Sequence, residues 1–344
     1  MKTVRVALIG FGNVGQGFAE ILRDRGESYA DIFGLDIRIV AVSDLHFGAV
    51  YHSDGLDPAS LLSMVQENDS FANFAPADET GWDASTTIAK SNADVIAEIS
   101  FTDLETGEPA TTHLRQALEN GKHVITTNKG PLALHFEELN RIAQENDVQI
   151  GYEGTVMSGT PALHLGMDVL RSAGVRKIEG ILNGTTNYIL TEMANGLSYE
   201  AALKEAQRLG YAEADPRGDV EGHDAAAKVA ILCTVLMGKT MKPDQVECTG
   251  ITGLDQKQIQ EARQNGQCWK LIGSIEKING EVKATVKPIC LPMTHPFSAV
   301  NGATNAIHYT TDLLGEVTLI GPGAGRAETG LALVNDLISI YRST

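Results

Sequence analysis

The stretch from Val4 to Gly15 limits what this chain can fold into more than any other part of it. Val4–Ile9 is apolar except for Arg5, as expected of a strand buried on both faces. It runs into Gly10-Phe11-Gly12-Asn13-Val14-Gly15, which matches GxGxxG. With 35 glycines in 344 residues, the pattern alone carries little weight. Its setting, after a buried strand and ahead of a helix, carries much more. There Gly10 allows the tight turn, Gly12 lets the backbone approach a pyrophosphate, and Gly15 lets the helix sit close to the strand. The helix N-terminus adds free N–H groups and a positive dipole end for the phosphates.

The rest of the first ~150 residues alternates strand and helix signals, which implies a parallel sheet. Helices are expected over Gly17–Arg25, Pro58–Gln66, Pro109–Asn120 and Leu134–Asn146, and strands over Ile37–Val42, Asp94–Ile99, His123–Thr126 and Gln149–Tyr152. Phe47 to Asn92 reads as less regular. Beyond about residue 155 the signature becomes α+β, with helices over Ala162–Ser172, Tyr199–Leu209 and Ala225–Met237. Strands there are expected over Lys177–Leu182, Lys270–Lys277 and Val282–Pro288. A last helix, Ala327–Tyr341, is expected to pack back on the first domain. The expected fold class is α/β: an N-terminal Rossmann dinucleotide-binding domain (1–154), a C-terminal α+β domain (155–320), and a returning helix segment (321–344).

Charge and cysteine usage narrow the function classes. Against 27 basic side chains stand 44 acidic ones, a net charge of −17, so nucleic acid is not an expected partner. No stretch approaches the roughly 18 uncharged apolar residues of a membrane span, and none is read as a secretory leader. Cys233, Cys248, Cys268 and Cys290 are widely spaced without a CxxC pair, and the nine histidines form no HExxH. A reducing, cytosolic setting is expected.

Three segments carry candidate chemistry. Asp44 lies at the end of the second strand, where a carboxylate bonds a ribose 2′-OH and repels a 2′-phosphate. No Lys or Arg follows it until Lys90, which favours NAD over NADP. The densest ionisable cluster runs from Gly210 to Asp224 and into the helix Ala225–Met237. Asp224 is expected as the N-cap of that helix. Lys228, four residues on and otherwise among Ala and Val, is a poorly solvated amine suited to acid–base work. The acidic loop fails the calcium-loop spacing, since Ala226 stands at the twelfth position from Asp215. A second lysine, Lys129 in Thr126-Thr127-Asn128-Lys129-Gly130-Pro131, follows the fourth strand, where the ligand crevice of an open sheet lies. Asn183-Gly184-Thr185-Thr186-Asn187-Tyr188 reads as a polar turn fit to hold a small ligand, with Thr185 as its candidate contact. Gly321-Pro322-Gly323-Ala324-Gly325-Arg326 lacks the ATP-loop pattern.

In order and spacing, GxGxxG, TTNKGP, YEGTVMSGTP, NGTTNYIL, LGYAEADPRGDVEGHDAAAK and GPGAGR resemble the homoserine dehydrogenases from Val4 to about Val334. The resemblance implies reversible oxidation of L-homoserine to L-aspartate 4-semialdehyde with NAD or NADP, in threonine, methionine and isoleucine biosynthesis. It implies Lys228 as the acid–base residue, Asp224 as the carboxylate orienting that end of the substrate, and Asp219 in the same loop. Glu213 is implied to receive the substrate amino group, with the Gly210 backbone nearby, and Lys129 to lie between cofactor and substrate. Phe11, Asn13, Val14, Ser100 and Gly325 join Gly10, Gly12, Gly15 and Asp44 as implied dinucleotide contacts. Main-chain oxygens of Glu153, Val156, Ser158 and Thr160 are implied to hold a monovalent cation, Na⁺. A homodimer formed through the second domain is also implied, and feedback by threonine through an appended regulatory domain is not expected. Two other readings compete with this one. An acyl-phosphate-forming aldehyde dehydrogenase needs an activated thiolate, for which no cysteine has the local setting. A non-catalytic dinucleotide sensor would need neither Lys228 nor Asp224.

Overall fold

In the computed structural model, which describes residues 1–342, the opening strand is β1 (Lys2–Ile9). It is followed by α1 (Asn13–Phe33), β2 (Leu35–Asp44), β3 (Gly48–Tyr51), α2 (Pro58–Gln66), β4 (Glu79–Thr80) and α3 (Ala84–Lys90). Then come β5 (Val95–Glu98), α4 (Ala110–Glu119), β6 (His123–Thr126), α5 (Lys129–Glu145) and β7 (Ile150–Gly151). The strands form one sheet in the order β4-β3-β2-β1-β5-β6-β7. Pairing from β2 to β7 is parallel, and β3 and β4 add an antiparallel edge. Both faces are covered. Phe18 and Leu22 of α1 and Leu61 of α2 pack on one, and Ile88, Leu114, Leu118 and Leu139 on the other. Central strands therefore need no polar face, which is why β1 reads as a nearly unbroken apolar run.

The second unit contains α6 (Ala162–His164), β8 (Val175–Ile181), α7 (Gly184–Ala194), α8 (Tyr199–Arg208), α9 (Arg217–Val220) and α10 (His223–Met237). After these come β9 (Glu247–Cys248), α11 (Gln256–Gln264), β10 (Gln267–Ile278), β11 (Glu281–Pro292), β12 (Thr304–Thr311) and β13 (Glu316–Pro322). Its sheet has the order β13-β12-β8-β10-β11-β9, antiparallel apart from the short β11–β9 pair. Every residue of α10 from Ala225 to Cys233 is buried, so Lys228 is a cation inside a core helix. Lys270 of β10, 2 % exposed, is a second interior cation. Its ammonium donates to Asn187 Oδ1 (3.0 Å), Val300 O (2.5 Å) and Asn301 Oδ1 (3.3 Å). None of the four cysteines forms a disulfide, and no described helix is long and apolar enough to cross a membrane.

The last helix, α12 (Arg326–Arg342), belongs to the first unit, which comprises Met1–Gly159 and the chain from Gly325 onward. It packs on α1 through a glycine contact on each helix. A Cβ on Gly17 would stand 2.0 Å from Arg326 O, and one on Gly330 would stand 2.6 Å from the Phe18 nitrogen. Leu333, Val334 and Leu337 are fully buried against the α1 side of the sheet. Arg326 forks onto Glu20 at 2.7 and 3.1 Å.

Several element boundaries differ from the sequence reading. The stretch Gly26–Phe33, which reads as a loop, is helix, because α1 runs on to Phe33 and ends at Gly34 in the left-handed conformation (φ +69°). The irregular stretch after Phe47 holds α3 and the β3–β4 edge. Helix α5 begins at Lys129, not Leu134, since Pro131 lies in its first turn, where a missing N–H costs nothing. The two units divide at Gly159/Thr160 and Ala324/Gly325, a few residues beyond the composition-based 154/155 and 320/321. The chain up to Gly159 stays with the first unit because Ser158 Oγ meets Thr329 Oγ1 at 2.7 Å and Gly159 lies against Glu328 O.

Candidate active site

The glycine turn is built as its spacing requires. Gly10 takes φ +101°, and a Cβ there would fall 2.7 Å from Ile99 O, so no other residue fits between β1 and β5. Gly12 is the N-cap of α1, with nothing within 4 Å of where its side chain would begin. That leaves open space beside the first-turn amides. A Cβ on Gly15 would meet Gly10 O and Ile99 Cδ1, each at 3.1 Å. The Phe11 ring is core, edge-on to Phe71 at 5.4 Å, so only its backbone faces the turn. Asn13 and Val14 form the first turn of α1. The acidic residue Asp44 lies farther beyond Gly15 than the usual ~20 residues of such sites. The cause is α1 itself, which takes up 21 residues of chain.

Asp44, the last residue of β2, does more than mark a strand end. Its Oδ2 accepts the Phe11 N–H (2.8 Å), and its Oδ1 accepts from His46 N (2.8 Å) and Phe47 N (3.0 Å). It thus ties the glycine turn to the loop that follows β2. A cavity of about 870 Å³ opens here, lined by Gly10, Gly12, Asp44 and Ser100 together with Trp82 and His113. Trp82 and His113 belong to no motif, so sequence reasoning misses them. Behind Ser100 lies a fully buried carboxylate, Glu98, which accepts from Ser100 Oγ (2.5 Å) and Asn128 Nδ2 (3.3 Å) and pairs with His113 Nδ1 (3.3 Å). Lys129 is the first residue of α5, half-buried, next to the N-cap Asn128 and beyond the carboxyl end of β6. Gly325 precedes α12 with φ +143°.

In the second unit the acidic loop and the polar turn meet. Lys228 Nζ donates to Asp224 Oδ2 (2.6 Å) and to Leu182 O (2.7 Å), with the Lys228 and Asp224 side chains 9 % and 18 % exposed. Asn183 Nδ2 donates to both Asp219 Oδ1 (2.6 Å) and Asp224 Oδ2 (3.0 Å), so one amide bridges two carboxylates. The same side chain caps α7 by accepting the Thr186 N–H (2.9 Å). Burial and the neighbouring Asp224 charge push the Asp219 carboxyl above its usual range, against the hydrogen bond from Asn183. Thr185 Oγ1 donates to Tyr211 O (2.5 Å), which ties α7 to the acidic loop.

Two expectations change here. Asp224 is not the N-cap of α10; Gly222 is, with φ +90°, and Asp224 sits in the first turn where its carboxylate faces Lys228. The Asn183–Tyr188 segment is the opening of α7, with Asn183 as its cap, and not a free turn. Gly210 (φ +77°) and Glu213 lie on the exposed stretch between α8 and α9, outside the hydrogen-bonded cluster; Glu213 O accepts from Gln207 Nε2 (3.0 Å). Asn183 stands out in the sequence only as part of a motif, because bridging two distant carboxylates leaves no mark in local spacing. Of the residues expected around a cation, Glu153, Val156 and Ser158 fall in the first unit and Thr160 opens the second.

A dinucleotide-binding unit with a glycine turn, and a second unit with a buried lysine–carboxylate cluster, define a nucleotide-dependent oxidoreductase. Comparison with known proteins makes this specific. Family models described as homoserine dehydrogenase, NAD binding domain, and homoserine dehydrogenase match residues 10–153 and 161–338. An NAD(+)-dependent homoserine dehydrogenase of Pseudomonas canavaninivorans is 44 % identical over 344 residues, covering 100 % of this chain and 97 % of that protein. A crystal structure assigned to a homoserine dehydrogenase of Archaeoglobus fulgidus superposes with a TM-score of 0.88 at 35 % identity, covering 98 % of this chain and 99 % of that one. A hyperthermophilic archaeal homoserine dehydrogenase in complex with NADPH matches with a TM-score of 0.85 at 27 % identity, covering 100 % and 99 %. The chain belongs to the homoserine dehydrogenase family.

Proposed function

We propose that this chain interconverts L-homoserine and L-aspartate 4-semialdehyde, with Lys228 exchanging the proton of the reacting oxygen. The observation that carries the assignment is the buried Lys228 ammonium, held at 2.6 Å by Asp224 and at 2.7 Å by Leu182 O. A nicotinamide dinucleotide, when bound, supplies the hydride acceptor. For oxidation the Lys228 ammonium first releases one proton to solvent, and the neutral amine then takes the hydroxyl proton as the carbinol carbon loses hydride; in reverse, the Lys228 ammonium gives a proton to the carbonyl oxygen. Asp224 orients Lys228 and that end of the substrate, Asp219 completes the carboxylate pair, and Thr185 is a substrate contact. Glu213 and the Gly210 backbone are assigned to the substrate amino group. Lys129 is assigned to the region between substrate and cofactor.

The residues of the first unit fit a dinucleotide. The open space at Gly12, the α1 amides and the cavity bounded by Asp44 and Ser100 suit a pyrophosphate and ribose. Phe11, Asn13, Val14, Gly15 and Gly325 complete the proposed contacts. NAD is the favoured form, because Asp44 lies on the cavity wall and is followed by Leu45 and His46, without Lys or Arg. A monovalent cation, Na⁺, is assigned to main-chain oxygens of Glu153, Val156, Ser158 and Thr160. Left-handed backbone at two successive non-glycine residues, Met157 (φ +62°) and Ser158 (φ +56°), supports a functional turn there. The proposal also includes a homodimer and a cytoplasmic setting, the latter in keeping with four cysteines outside any disulfide.

The test is absorbance at the reduced-nicotinamide band with L-homoserine, with NAD and NADP in separate runs. Lys228→Ala is expected to lower turnover by about 10²–10⁴-fold while NAD binding persists. Asp44→Ser is expected to narrow the preference for NAD over NADP. Full turnover by the Lys228 variant would remove it from the mechanism.

A further inference from the structure

Asn305 of β12 is fully buried, and among the described residues neither its Nδ2 nor its Oδ1 has a hydrogen-bond partner. Native interiors rarely leave both ends of a carboxamide unsatisfied, and such a group calls for a specific reason. Its surroundings supply one. The backbone of Gly323 lies directly over the amide, so that a Cβ there would stand 2.2 Å from both Cγ and Nδ2. Gly184 is also close, and its Cβ position would be 3.4 Å from Asn305 Oδ1. Gly184 follows Asn183, the residue that bridges Asp219 and Asp224 beside Lys228. The orphan amide is therefore next to the first turn of α7, within the unit that holds the proposed acid–base cluster.

We propose that Asn305 is a further recognition residue for the substrate, presenting its carboxamide to the α-amino-acid head group when the Gly323–Ala324 segment, just past the end of β13, shifts off it. This rests on the reaction assigned above. One donor group and one acceptor, both uncommitted, complement a head group made of one carboxylate and one ammonium. The neighbouring carboxylates Asp219 and Asp224 do not disfavour such a ligand, because its head group is neutral overall. Gly321 and Pro322 stay in place, paired with Asn305 and Thr304 in the β12–β13 ladder, whereas Gly323 and the exposed Ala324 lie past the end of β13, where a glycine gives the cover freedom to move. Asn305 touches no reacting atom in this assignment; it is a recognition and positioning residue.

The test uses Asn305→Leu, similar in shape and without polar atoms, in the full-length enzyme. Removing two orphan groups from the interior is expected to leave Tm unchanged or raised. KM for L-homoserine is expected to rise about tenfold or more with kcat changed much less, as the loss of a hydrogen bond to a charged group predicts. The penalty should shrink for the substrate analogue that lacks the contacted group, either 3-aminopropan-1-ol (no carboxylate) or 4-hydroxybutanoate (no ammonium). A lower Tm together with equal losses on all three substrates would overturn the proposal and make Asn305 a structural residue. The thermal shift produced by saturating L-homoserine gives a second readout that does not need turnover. If wild-type enzyme fails to oxidise L-homoserine, the assigned reaction falls, while a ligand shift lost in Asn305→Leu still supports the recognition role and an equal shift in both proteins overturns it.

Discussion

At the scale of single residues, the second unit places two lysines inside apolar surroundings and treats them differently. Lys228 meets a carboxylate, whereas Lys270 donates to neutral oxygens of Asn187, Val300 and Asn301. Burial among these neutral groups lowers Lys270 to about 8. Between about pH 8 and the ordinary lysine value of 10.5, the unfolded chain therefore holds a proton that the folded chain has released. Stability from this group rises with pH through that window, by at most about 1.4 kcal/mol per pH unit. Below pH 8 both states are protonated and the dependence vanishes. Chemical denaturation of wild type and Lys270→Met at about pH 7.5, 9 and 10 should show the wild type gaining relative to the variant as pH rises. A constant difference would mean that Lys270 keeps its charge throughout.

At the scale of elements, the crossing of α1 and α12 depends on glycine. The Arg326 carbonyl occupies the place that a side chain at position 17 would need, and backbone cannot swing aside as a flexible side chain can. Gly17→Ala is expected to lower stability by about 1–3 kcal/mol, readable as a lower Tm. The same substitution at Gly26, which has open space, should be neutral or stabilising, since alanine is the better helix former. Neither role is legible in the sequence, where both glycines look like helix punctuation. Gly26 in particular suggests a helix that stops at Arg25, whereas α1 continues to Phe33. What the sequence does display is local: the apolar run of β1, the GxGxxG spacing, and α2 and β6, whose observed bounds match those expected. What it hides depends on distant partners. Pro131 looks like a barrier to α5 until its place in the first turn is known. Asp224 looks like a cap, although Gly222 takes the left-handed position and frees the carboxylate for Lys228. Asn183 and Asn305 draw their significance from residues far away in the chain, and local spacing carries no trace of it.

At the scale of the molecule, one unit is continuous in the chain and the other is not. Thr160–Ala324 contains its own sheet and its own buried helix α10, whereas Met1–Gly159 lacks α12. A fragment ending at Gly159 would expose Phe18, Ala19 and Leu22 where Leu333, Val334 and Leu337 normally cover them. That fragment is expected to melt without a cooperative transition and to bind a hydrophobic dye. Joining residues 325–344 to its end through a flexible linker should restore cooperative melting. Cooperative unfolding of the bare fragment would show that α12 is dispensable to the first core.

The closure of the first core by α12 also bears on how the chain is made. Glu20 leaves the ribosome well before its partner Arg326, which lies 306 positions further on. At ordinary rates of translation the intervening chain takes on the order of tens of seconds to appear. Throughout that interval the apolar side of α1 has no permanent cover. The domain begun first is therefore completed last, and the second unit can finish folding while the first still waits. Newly made protein should depend on chaperone protection of the first unit, and premature termination anywhere before α12 should yield a product prone to aggregation even when the whole glycine turn is present.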